Sequence, residues 1–223
     1  MSDVIAASTT DAGHSRRIGV TERLTMSQVS TTTSSPRRRV TMTWVVWITA
    51  VIAYGFAVMQ RTSLGVMGLT AAAHFNAPAS VVATFMVLQL AVYAVLQIPA
   101  GITVDRLGSR VVITAGSIVM TVGQVVMALT GSVGGAVLAR VLVGCGDAFI
   151  FGAAIRLVPA WFPPKQTPLV TQLTGLLGQF GQVVSAVGLV AMVNSSGWRS
   201  TYLLAAGGAA VAAALAFLLI RDA

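Results

Sequence analysis

Six stretches of mostly apolar residues follow one another between residues 42 and 220, parted only by short polar breaks. A hydrocarbon core about 30 Å thick is crossed by ~20 residues of helix. The stretches run Met42 to Gly68, Ser80 to Val104, Arg110 to Leu129, Gly134 to Trp161, Leu169 to Val193 and Ser200 to Ile220. The separators "HFNAPAS", "VDRLGSR", "TGSVGG", "WFPPKQTP" and "NSSGWRS" are turn sequences, so consecutive helices are expected to pack as antiparallel neighbours. Composition agrees: at 56% hydrophobic and 9% charged, with a mean hydropathy of +0.84, the chain has too little polar surface to coat a soluble globule. The expectation is an all-α membrane protein with six transmembrane helices over residues 40–223, lodged in a lipid bilayer.

Ahead of the first span, Arg16, Arg17, Arg23 and the run Arg37, Arg38 and Arg39 sit in a Ser- and Thr-rich segment without apolar periodicity. It is too long and polar for the leader of a cleavable signal peptide. Residues 1–39 therefore read as a disordered cytoplasmic tail. Much of the net charge of +8 belongs to this membrane-proximal segment, which argues against a nucleic-acid footprint.

Lys and Arg gather on the cytoplasmic side of membrane proteins. With the amino terminus inside, Arg37 to Arg39, Arg106, Arg110, Lys165 and Arg221 all fall on that face, and Arg199 alone falls outside. The reading is a multi-pass protein of the plasma (inner) membrane with both termini cytoplasmic. Glycines at close-packing spacing, Gly144, Gly146 and Gly152 in the fourth span and Gly175, Gly178 and Gly181 in the fifth, let helix backbones approach.

An ionisable side chain in hydrocarbon costs at least ~2.5 kcal/mol and usually faces a partner or a water-filled path. Arg61, Arg140 and Asp147 qualify. Arg140 and Asp147 are seven residues apart, on one helix face and roughly 10 Å from each other along the axis. Two guanidiniums at similar depth can clamp a carboxylate or phosphate. The acid Asp147 can exchange a proton in step with that anion. Plainer readings stay open: Arg61 as the end of a shorter first span, Arg140 with Asp147 as a structural ion pair, and Arg156 snorkelling to the inner surface. Tyr54, Gln89, Tyr93, Gln97, Gln172, Gln179 and Gln182 either line a polar cavity or bind helices together.

The single cysteine, Cys145, lies inside an apolar segment and reads as a small core residue, so neither an intrachain disulfide nor a thiolate metal site is expected. Phosphate-loop, His/Cys metal and Ser-His-Asp spacings are missing, and His14 and His74 sit in the tail and an outer loop. The expectation is therefore no enzyme, no cofactor and no metal.

Between the second and third spans stands "GITVDRLGSR". Asp105 there is placed to cap a helix start, and Gly101 and Gly108 to permit a tight turn. The pattern G-x-x-x-D-R-x-G-x-R, carried by Gly101, Asp105, Arg106, Gly108 and Arg110, resembles the signature cytoplasmic loop of the major facilitator superfamily of transporters. "VLARVLVGCGDAF" resembles that family's R-x-x-x-G-x-G helix, with Arg140, Gly144 and Gly146 in place; "WFPPKQ" and "GWRSTYLL" resemble the segments that follow. The loop is also echoed within the chain, Asp105, Gly108 and Arg110 recurring as Asn194, Gly197 and Arg199.

This resemblance implies half of a major facilitator fold, two inverted three-helix repeats, with the signature loop as a gate. It extends to the anion:cation symporter branch, which implies Arg61 and Arg140 as substrate-binding residues and Asp147 as the proton-coupling acid; of the polar residues that can line a cavity beside them, Tyr54, Gln89 and Tyr93 are expected to join in substrate binding. That branch carries a first-span acid where this chain has Gln60. The implied activity is proton-coupled uptake of a small anion by alternating access. Such facilitators have twelve spans, so a second six-helix half or a second copy is expected as partner. The alternative is a half-size membrane protein that transports nothing alone and acts in assembly.

Overall fold

The structure, a computed structural model, describes residues 36–222. Residues Met1–Arg39 and Val40–Ala223 fall into separate units. The first 35 residues of the expected tail, with Arg16, Arg17 and Arg23, lie outside the described residues; the last four, 36–39, begin the first helix.

All regular structure among the described residues is helical: α1 (Pro36–Val66), the short α2 (Gly68–His74), α3 (Ala79–Leu129), α4 (Val133–Trp161), α5 (Thr167–Val184), a π-helical turn (Ser185–Leu189) and α6 (Val190–Leu219). Four continuous runs are long and apolar enough to cross a membrane: Thr41–Val66, Ala79–Leu129, Val133–Trp161 and Thr167–Leu219. The second and fourth are 51 and 53 residues long. A straight helix of that length spans ~75 to 80 Å, more than twice the hydrocarbon thickness of ~30 Å.

Both long runs are broken at a glycine. Gly108 has φ 80° and ψ 161°, and Gly197 has φ 78° and ψ 175°; these are the two positive-φ glycines among the described residues. Side-chain-bearing residues avoid that region. The two breaks share one backbone conformation 89 residues apart, where the sequence echo sits. Gly101, by contrast, lies inside helical α3 with open space around it. Of the two glycines expected to make the turn, Gly108 makes it.

The contacts fix how the pieces lie. On α4, an added methyl would overlap the backbone of Gln89 at Gly144 and that of Gly116 at Gly146. Neighbouring points of α4 thus meet both sides of the Gly108 break, so the two arms of α3 lie side by side. Gly116 against Gly146 and Gly123 against Ala139 make the second arm antiparallel to α4. Arg110 against Phe217 and Met127 against Trp198 make it antiparallel to the end of α6. Trp47 with Thr174 and Gly55 with Gly181 make α1 and α5 parallel. Gly178 and Gly181 pack on α1 as close-approach residues, whereas Gly152 and Gly175 face open space.

Candidate functional site

Arg61, on α1, meets Asp147, on α4, through two parallel bonds: Nε donates to Oδ2 at 2.5 Å and a terminal nitrogen to Oδ1 at 2.8 Å. This fork geometry is the strong form of a guanidinium–carboxylate pair. Asp147 is fully buried, while the Arg61 side chain keeps 20% of its surface exposed. The guanidinium also lies over the Tyr93 ring, 4.6 Å from its centroid, an arrangement that favours a cation.

Arg140 lies two turns from Asp147 on α4 and is wholly buried. One terminal nitrogen donates to the Gln60 carbonyl at 3.3 Å, to Ser63 Oγ at 3.3 Å and to Gln89 Oε1 at 3.4 Å. The other donates to Ser63 Oγ and to the Tyr202 hydroxyl, both at 3.3 Å. Its Nε finds no partner, and neither does the buried Gln60 Oε1. Every partner is neutral. The ion pairs among the described residues are Arg61–Asp147 and Arg156–Asp105, so Arg140 holds a buried positive charge without a carboxylate.

Gln89 ties the two arginines together: its Oε1 accepts from Arg140 and its Nε2 donates to the Arg61 carbonyl at 3.3 Å. The missing side chain of Gly144 makes this possible, because the Gln89 backbone occupies the space a Cβ would need. On α3, Gln89, Tyr93 and Gln97 recur every four residues, which places them on one face. Arg61, Gln89, Tyr93, Arg140 and Asp147 therefore form one cluster. Tyr54 sits two turns before Arg61, buried with its ring 5.0 Å from that of Phe151.

The alternative pairing of Arg140 with Asp147 is not found, since Asp147 takes Arg61, and α1 continues past Arg61 to Val66. Sequence reasoning missed Ser63 and Tyr202. Ser63 follows Gln60 by one turn; Tyr202 lay in "GWRSTYLL" with nothing to mark its hydroxyl as a partner of Arg140.

At the far end, Arg156 pairs with Asp105 rather than reaching for the surface alone. Arg110 donates through Nε to the Phe217 carbonyl at 2.8 Å and lies over the Phe217 ring. The backbone amide freed by the Gly108 break, that of Arg110, donates to Asp222 Oδ1 at 3.2 Å. The expected cap thus comes from Asp222 and not Asp105, because Asp105 precedes the break and is engaged with α4. Arg106 is exposed. Asp105, Gly108, Arg156 and Asp222 line a cavity of about 450 Å³.

The family model described as Major Facilitator Superfamily matches residues 46–223. The chain is 25% identical to the probable L-galactonate transporter of Escherichia coli (strain K12) over 175 residues, 78% of this chain and 38% of that protein. It is 26% identical to the probable sulfoacetate transporter SauU of Cupriavidus necator over 112 residues, 50% of this chain and 26% of that protein. Against the hexuronate transporter of Escherichia coli (strain K12) the identity is 25% over 114 residues, 51% and 26% of the two chains. A solved bacterial homolog of the human lysosomal transporter Spinster, inward-facing and occupied, shares the fold with a TM-score of 0.65 at 19% identity, over 85% of this chain and 45% of that one. The chain spans well under half the length of the curated relatives it matches.

Proposed function

The chain belongs to the Major Facilitator Superfamily, and on that premise we propose that it forms a six-crossing half of an alternating-access transporter for a small organic anion, coupled to a proton. The observation that carries this reading is the Arg61–Asp147 pair beside a buried Arg140 that has no carboxylate of its own. An isolated buried cation is expensive; an anionic substrate supplies the missing charge. The transported class is a carboxylate or sulfonated carboxylate, in keeping with the aldonate, uronate and sulfoacetate named for the relatives.

Coupling follows from competition for one guanidinium. An anion that takes Arg61 strips Asp147 of its partner, and a lone carboxylate in a low-dielectric interior binds a proton rather than stay charged. Proton and anion then cross together; when both leave, the pair re-forms. Tyr93 holds the Arg61 guanidinium while it changes partner, and Gln89 keeps the two arginines in register. Tyr54 shares the α1 face that presents Arg61. Gln60, in place of an acid, leaves Asp147 as the single proton carrier.

Two inverted three-helix repeats, divided at Gly108 and Gly197, account for the matching glycine breaks. With the termini cytoplasmic in the plasma (inner) membrane, Asp105, Arg106, Gly108 and Arg110 form the inner gate, and Gly101 lies two turns before it. Gln172, Gln179 and Gln182 are exposed along one side of the apolar α5. In lipid their amides would go unsatisfied; this favours a second six-helix half or a second copy lying against that side across a wet cavity.

Uptake of labelled L-galactonate, hexuronate and sulfoacetate into cells expressing the chain, with and without a protonophore, tests the reading. Uptake abolished by the protonophore supports coupling, and uptake indifferent to it rejects coupling. No uptake of any anion favours a half that works only with a partner.

A further inference from the structure

From Arg140 a column of aromatic rings leads to the end of the bundle away from Gly108. The Tyr202 hydroxyl accepts from Arg140 at 3.3 Å, and the Tyr202 ring centroid lies 5.8 Å from the guanidinium carbon. One turn earlier on α6, at the residue after the Gly197 break, the Trp198 ring lies 4.5 Å from that of Tyr202. Its indole N–H donates to the Met127 carbonyl at 3.0 Å. His74, the last residue of α2, stacks face to face on Trp198 with 4.5 Å between centroids and 13° between planes. Its Nε2 stands 3.2 Å from the Thr130 carbonyl oxygen. Trp198 and Tyr202 are buried, whereas His74 is exposed.

The column joins an exposed titratable ring to the one buried cation without a carboxylate among the described residues. A protonated imidazole over an indole face gains a cation–π attraction. It also donates from both nitrogens, so the bond to Thr130 becomes charge-assisted whatever the tautomer was. Among the described residues no acid pairs with the ring, so the indole face and the Thr130 carbonyl are what favour its proton. Of the described acids, Asp105 and Asp222 lie at the Gly108 end and Asp147 is held by Arg61. On the elements packed against His74, α3 offers the Thr130 carbonyl, α2 offers Phe75, and α6 offers Trp198, followed by the exposed Arg199. The next charge down the column is Arg140.

We propose that His74, Trp198 and Tyr202 are positioning residues for Arg140, and that a proton on His74 tightens their hold, raising the affinity of the site for an anion as the medium on the His74 side acidifies. This rests on the reading of Arg140 as the anion-holding group. The sign follows from charge: a cation at His74 favours an anion at Arg140, and by reciprocity a bound anion favours the proton on His74.

The test uses the full chain with Trp44, Trp47 and Trp161 replaced by Phe, leaving Trp198 as the fluorophore. Lowering the pH from 8 to 5 should quench its emission as the stacked imidazole protonates, and His74→Phe and His74→Gln should both abolish the change. Calorimetric titration of the unmodified chain with L-galactonate and with sulfoacetate should give a Kd several-fold tighter at pH 5.5 than at pH 8. Measured in an Asp147→Asn background, where that acid no longer contributes a proton, the ratio should persist, and both His74 variants should collapse it towards one. His74→Gln keeps a donor for Thr130, so a collapse there reports the proton and not the fold. Emission indifferent to pH, or a ratio that survives both His74 substitutions in that background, overturns the proposal. Absence of binding at either pH removes Arg140's assigned role, while the fluorescence titration still decides whether a proton acts on the His74–Trp198 contact.

Discussion

Arg61 and Asp147 engage each other with both carboxylate oxygens across α1 and α4, at 2.5 and 2.8 Å, although 86 residues separate them. The pair is the one ion pair of Asp147 among the described residues, and the proposed coupling places the exchange between proton and anion there.

Replacing Asp147 by Asn releases Arg61 permanently. Anion exchange across the membrane, measured as counterflow of labelled substrate, is expected to persist, while accumulation driven by a proton gradient falls to background. Accumulation that survives Asp147→Asn would place the proton elsewhere.

Arg140 presents a sharper contrast. Arg140→Met removes a charge that no carboxylate balances but strips Ser63, Gln89 and Tyr202 of their shared donor, and a buried polar group left unsatisfied costs ~1–3 kcal/mol. Arg140→Met is therefore expected to lower Tm and to weaken anion binding by at least tenfold, whereas Ser63→Ala should lower Tm and leave most of the binding. Anion binding that persists in Arg140→Met would make Arg140 a structural residue.

Gly144 sets the distance at which Gln89 meets Arg140. A side chain there overlaps the Gln89 backbone, and overpacking of this kind typically costs ~1–3 kcal/mol. Gly144→Val should lower Tm and weaken anion binding together. Gly152→Ala, facing open space, should change neither.

Gly108 carries a φ of 80°, a conformation that costs an L-residue roughly 1–2 kcal/mol, and its missing side chain leaves room for the Asp222 carboxylate. Gly108→Ala should destabilise by that amount or more. Asp222→Ala, which removes only the cap on the Arg110 amide, should cost about 1 kcal/mol. Thermal unfolding in one detergent compares the two.

Asp105 and Arg156 are each more than half exposed, and exposed pairs contribute ~0–1 kcal/mol. Asp105→Asn should leave Tm almost unchanged and still slow turnover sharply, because its partner Arg156 lies on another helix that must move if the loop gates. Normal uptake by this variant would remove the gate role.

Part of the site was written in hydropathy. Arg61, Arg140 and Asp147 stood out because charges inside apolar runs are costly, and Gln89 and Tyr93 as polar residues within an apolar span. Ser63 and Tyr202 did not, because a serine or tyrosine in a membrane helix has many neutral uses and its partner lies on another helix. The cap on Arg110 was assigned to Asp105 by closeness in sequence, whereas Asp222 reaches it by folding, 112 residues away.

The sequence by itself determined that this chain is helical and membrane-borne, where its polar breaks fall, and which charges are anomalous, since those follow from local hydropathy and period. Tertiary structure alone decided who meets whom: Asp147 with Arg61 instead of Arg140, Arg140 with neutral partners, and His74 on Trp198. Such pairings depend on how glycines let helices approach and on the direction taken after each break at Gly108 and Gly197, and neither is encoded within one helix.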